Sequence, residues 1–190
     1  TPEYLIFVKS HRDHGNPLVY NLPPDWKPTP KPVRFPKDQR MGVLTHPAWL
    51  VAHSGNFDND PIRRGHWIRY KLLGGNVPDI PINVDAKLPD DKTMTLRERM
   101  HVTRAEECYK CHSKMNPWGL PFELYDHYGR FRFDELQKPV NITSKIVNTG
   151  VPGVDGEVKN PFQLIDRLAN STHCEQVFTR YVFRFFLGRN

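Results

Sequence analysis

The clearest pattern along the chain is helical. In "DPIRRGHWIRYKLLGG", residues 60–75, Ile62, Trp67, Tyr70 and Leu73 mostly follow helical spacing and predict an amphipathic helix with that face toward a core. Asp60 suits its N-cap, Pro61 its first position and Gly74 the residue after its end. A shorter helix is expected just before it in "HPAWLVAHS", residues 46–54. Thr95 followed by Glu98, and Thr103 followed by Glu106, each read as a capping box. The second box would open a helix carrying "ECYKCHSKM" and ending before Pro117, because the residue before proline resists helix. Asn160 and Pro161 start another helix through Ala169. Thr172 with Glu175 caps a last one, on which Cys174, Phe178, Tyr181, Val182 and Phe185 form an apolar face.

Between these segments the pattern breaks. Residues 1–40 place a proline every few positions and read as an extended arm or linker, with "YLIFV" as one short strand, leaving 41–190 as the folded domain. "NVPDIPINVDAKLPDD" is a proline-punctuated loop, and 134–159 is polar and glycine-rich, consistent with loop or a small hairpin. No internal repeat is present. With 18 Pro and 12 Gly against 38% hydrophobic residues, the expected fold is mainly α, a small helical domain with long Pro/Gly-rich irregular segments.

Composition excludes some functions. No apolar run approaches membrane-spanning length, and "YVFRFFLG" is interrupted by Arg184. The opening "TPEYLIFVKS" lacks the features of a signal peptide, which reads as a processed form or a piece of a longer chain. The formal charge of +6 invites nucleic acid, but the basic residues are scattered among 21 acidic ones and no nucleic-acid module is spelled out. A moderately basic surface steers an acidic partner instead.

Three cysteines remain, and two of them sit in "CYKCH", Cys108 to His112. This is the c-type haem attachment spacing. Residues three apart lie on one side of a helical turn, so both sulfurs reach the vinyl groups on one porphyrin edge, and the adjacent imidazole serves as proximal ligand. A structural zinc site wants four ligands, and only Cys174 is left to help. Disulfide redox chemistry lacks the alternating strand and helix that surrounds thioredoxin-like motifs. The expectation is one haem c per chain, bound through Cys108 and Cys111 with His112 on the iron, and hence a bacterial periplasmic or exported protein. Cys174, on the apolar face of the last helix, reads as a buried, inert thiol.

The run "CYKCHSKMNPWGLPFELYDHYGRFR" resembles the C-terminal region of the planctomycete-type cytochrome family, whose pattern is CxxCH, then Met/Ile-Asp-Pro-x-Gly, Phe-Glu-x-x-Asp and Gly-Arg. "MGVLTHPAWLVAHS", "PIRRGHWIRYKLLGG", "TLRERM" and the closing "FLGR" agree in order, so the similarity runs from about Met41 to Arg189. The resemblance implies a cytochrome c-like haem domain belonging to large exported multidomain proteins described mainly as domains of unknown function. Asn116 stands where that family commonly has Asp.

For the second iron ligand, His46 and His53 are the leading candidates, seven residues apart on a helix that is free to cover the other haem face. His101, His127, Met94 and Met100 are weaker ones, and Met115 reads as packing because it shares the helical face of His112. Arg63, Arg64 and Arg130, with Arg132 and the nearby Trp67, suit the grip of anionic propionates. The leading functional expectation is electron transfer to a redox protein or neighbouring domain with an acidic docking face. The alternatives are a haem enzyme with an open distal site, peroxidase-like or oxidative, or a haem-based ligand sensor.

Overall fold

The computed structural model describes residues 24–25, 35–77 and 87–188. The "YLIFV" strand, nearly all of the proline-rich arm and the middle of the 76–91 loop lie outside the described residues. The described residues form six α-helices and two short antiparallel hairpins, a mainly α molecule. The helices are α1 (Pro47–Ala52), α2 (Pro61–Lys71), α3 (Leu96–Arg99), α4 (Glu106–Gly119), α5 (Pro161–Ala169) and α6 (Thr172–Leu187). Short 3-10 turns precede α1 at Val43–Thr45, join α3 to α4 at Met100–Arg104, and continue α4 at Leu120–Leu124.

Several starts follow the expected chemistry. The Asp60 carboxylate accepts from the amide of Arg63, and Asn160 caps α5 by accepting from Gln163. Thr95 and Glu98 form the full reciprocal capping box of α3. The second expected box does not form: α4 begins after Ala105 with no side-chain cap. Thr103 is drawn into the preceding 3-10 turn, where its hydroxyl donates to the Met100 carbonyl at 2.7 Å. Nor does Pro117 end α4, which runs on to Gly119. The missing proline amide costs only a bond to the Ser113 carbonyl near the helix end, and Trp118 and Gly119 are buried beyond it, so packing holds the last turn.

The central contact is α2 against α4. A Cβ on Gly65 would collide with the Met115 carbonyl, and one on Gly119 with the Pro61 carbonyl, so the two backbones touch directly. This close approach fixes the buried face of α2 as Pro61, Arg64, Gly65 and Ile68. The expected face is thereby corrected in part: Leu73 is buried as expected, but Tyr70 is exposed and Ile62 and Trp67 are half-buried, because the helix rolls to bring its glycine onto α4.

Around this crossing lies a core of Trp49, Leu50, Ile68, Trp118, Phe122 and Tyr125, continued by Val154, Val158 and Leu164. The end of the arm is tied to it: buried Arg40 donates to the carbonyls of Thr45 and Gly129 at 2.8 and 2.7 Å, and the Tyr125 hydroxyl to that of Gln39 at 2.8 Å. The polar 134–159 stretch becomes two hairpins, β1 (Asp134–Glu135) with β2 (Lys138–Pro139) and β3 (Ser144–Ile146) with β4 (Gly156–Val158). Cys174 is buried, and burial pushes its thiol pKa up. The expected apolar face of α6 is covered only at its start, by Cys174 and Val177, while Phe178 and Phe185 stand exposed.

Candidate functional site

Helix α4 is built to begin with its motif at the N-terminal end. Glu106 and Glu107 occupy its first turn, where carboxylates complement the helix dipole in place of a cap. Cys108, Cys111 and His112 follow at positions that share one helical face. Both thiols are free and half-buried, and the imidazole is half-buried beside them. Among the described residues no three His, Cys, Asp or Glu side chains converge to hold an ion.

His112 is held from behind. Its Nδ1 lies 3.1 Å from Oδ1 of Asn116, one helical turn on. The Asn116 amide in turn donates from Nδ2 to the Thr103 hydroxyl at 2.9 Å. Thr103 and Asn116 also line a cavity of about 130 Å³, together with Arg97, Met100, Arg104 and Tyr109. It is a small groove beside the imidazole.

The other expected site residues lie elsewhere. Arg64 is fully buried, with its guanidinium donating to the Phe122 carbonyl at 2.9 Å, the Ser54 hydroxyl at 2.7 Å and the carbonyls of Tyr125 and Asp126 at 3.3 Å. Burial, opposed by the Glu123 carboxylate, pulls its pKa down to about 10. Arg63 reaches the Ser54 carbonyl and Asp60, while Arg130 pairs with Asp126 and lies over the Tyr128 ring. Trp67 stacks edge-on to Trp49 and His53.

The two histidines of α1 differ in a way that matters for ligation. The ring of His46 accepts the Ala48 amide at Nδ1, as the helix N-cap, so its neutral form carries the proton on Nε2. His53 has its Nδ1 2.8 Å from the Trp49 carbonyl, which can only accept; its neutral form keeps the Nε2 lone pair. Burial lowers both pKa values, helped at His46 by Arg40 and at His53 by Arg64 and Arg63. Neither lines the cavity beside His112.

Sequence reasoning missed Thr103 and Asn116 as partners of His112, and Arg97 and Arg104 as its basic neighbours. Thr103 resembles a cap, and Asn116 is visible only as a departure from a pattern; the spacing of four from His112 to Asn116 is the signal that pairs them.

The model of the family PSCyt3, described as a protein of unknown function (DUF1588), matches residues 40–135, half of the chain and all of α1 to α4. No curated protein and no solved structure matches the chain.

Proposed function

The chain belongs to PSCyt3, the planctomycete cytochrome c-associated family, and from that premise we propose that it is a covalent c-type haem module that passes electrons to a redox partner. The observation that carries the reading is the placing of Cys108, Cys111 and His112 on one face of α4 with the Nδ1 edge of His112 already engaged by Asn116. The donor set fits the group: two accessible thiols for the thioethers, and one imidazole whose Nε2 is left for the iron. When bound, the haem supplies a one-electron couple.

The chain's own residues hold and tune that couple. Cys108 and Cys111 would hold the porphyrin edge through thioethers, and His112 would offer its Nε2 lone pair to the iron. Arg104, exposed at the cavity rim, is a cation suited to a propionate, in place of the fully buried Arg64. Of the two distal candidates His53 has the ligating tautomer, and His46 does not. The basic net charge favours docking to an acidic partner protein or domain. Attachment of this kind places the protein in the periplasm or outside the cell, and no helix among the described residues is long and apolar enough to cross a membrane.

Optical spectra of the haem-loaded chain, oxidised and reduced, with cyanide and carbon monoxide added, test the role. A relay gives low-spin spectra that ignore both ligands, and His53→Ala then shifts the spin state while His46→Ala does not. High-spin iron that binds either ligand readily would contradict the relay and favour an enzyme or sensor.

A further inference from the structure

The hydrogen bonds behind His112 run in one direction, and their direction is set at the far end. The Met100 carbonyl can only accept, so the hydroxyl of Thr103, 2.7 Å away and buried, must donate to it. With its proton committed, Thr103 Oγ1 can only accept at its other contact, so the group 2.9 Å away must be the Asn116 NH₂. That choice turns Asn116 Oδ1 toward His112, and a carbonyl oxygen 3.1 Å from Nδ1 requires a proton on Nδ1. The neutral imidazole then has its lone pair on Nε2.

We infer that Thr103 and Asn116 are positioning residues forming a directional relay that fixes His112 as its Nδ1–H tautomer, presents Nε2 as the ligating atom, and sets how electron-rich that atom is. The part played toward iron rests on the haem reading above; the tautomer does not. Asparagine is suited to this place because one end must donate and the other accept. An aspartate at 116 would still accept from Nδ1–H, but it has no proton for Thr103 and would pull that hydroxyl away from Met100. Its negative charge would also make the imidazole a stronger donor, which stabilises oxidised iron.

Two readouts test the relay. In the 190-residue chain produced without haem, ¹⁵N–¹H long-range spectra at pH 8, where an ordinary imidazole is neutral, report the tautomer. His112, identified by the resonances missing in His112→Ala, is expected as Nδ1–H. Thr103→Val, close in shape to threonine, frees the amide to turn and gives a mixture of tautomers, while Thr103→Ser restores the single form. An Nε2–H tautomer in the unaltered chain, or no change in Thr103→Val, overturns the relay.

In the haem-loaded chain, Asn116→Asp is expected to lower the midpoint potential and Thr103→Val to raise it. Loss of mere packing would move both the same way, and shifts of the same sign would contradict the inference. A chain that shows the Nδ1–H tautomer but takes up no haem defeats the haem reading and leaves the relay standing. A haem-loaded chain with the wrong tautomer does the reverse.

Discussion

Glu123 is the residue at which burial and charge oppose each other most directly. Its carboxyl is almost wholly enclosed, with Asn59 Nδ2 at 3.4 Å and Arg132 Nη2 at 3.2 Å. Burial raises its pKa to about 7, against the lowering pull of Arg132 and Arg64. A carboxyl whose folded pKa lies above its unfolded one stabilises the fold fully below the unfolded value and loses that contribution as pH rises through about 7. Between roughly pH 4.3 and that value, Glu123 alone lowers stability by up to about 1.4 kcal/mol per pH unit. His46 and His53 act in the opposite sense. Their lowered pKa values give stability that is present above about pH 6.5 and lost as pH falls through the folded values. Glu123→Gln keeps a carbonyl acceptor for Asn59 and Arg132 but cannot ionise. Urea titrations from pH 4.5 to 8 should show the unaltered chain losing stability relative to this variant as pH rises; a constant difference would refute the assignment. None of this is visible in "PFELYD", where Glu123 stands out only as part of the Phe-Glu-x-x-Asp pattern. Arg64 is the matching case: its place beside Trp67 suggests a grip on a ligand, and only the fold shows its guanidinium spent on buried carbonyls.

The helices show what local signals can and cannot decide. Asp60, Thr95 and Asn160 cap as read because each cap is satisfied within four residues of chain. Thr103 and Pro117 mislead because their fates depend on contacts from other elements: the turn at Met100 claims the first, and α2 holds the helix beyond the second. The roll of α2 was equally hidden, since it depends on two glycines 54 positions apart meeting backbone to backbone. The β1–β2 turn carries Leu136 and Gln137 at φ 52° and 61°, without the Asn-Gly pair that would announce it. The α2–α4 contact makes a definite forecast. Gly65→Ala or Gly119→Ala inserts a methyl group into an opposing backbone and should cost about 3 kcal/mol or more in denaturant unfolding. Alanine at Gly150, which has no atom within 4 Å of the added methyl, meets only the strain of its φ of 70° and should cost less. Equal losses at the three positions would mean that the helices do not cross as closely as described.

At the scale of the whole molecule, the mainly α class and the helical half carrying the motif were legible, because they rest on spacing and caps. The tautomers of His46 and His53 were not, because which histidine keeps its Nε2 lone pair depends on what its Nδ1 meets in three dimensions. The end of α6 marks another boundary of sequence reading: Phe178, Val182 and Phe185 have the spacing of a core face and stand exposed. The family match stops at 135, before the second hairpin, α5 and α6, so the CxxCH motif at Cys108–His112 lies inside the shared part of the chain. The central claim is covalent haem at that motif. The most direct measurement is the intact mass, under unfolding conditions, of the chain co-produced with a bacterial haem-attachment system. The account predicts a gain of one haem per chain that survives unfolding and vanishes in the Cys108→Ser, Cys111→Ser double variant; a chain of unmodified mass, or haem that washes away on unfolding, would contradict it.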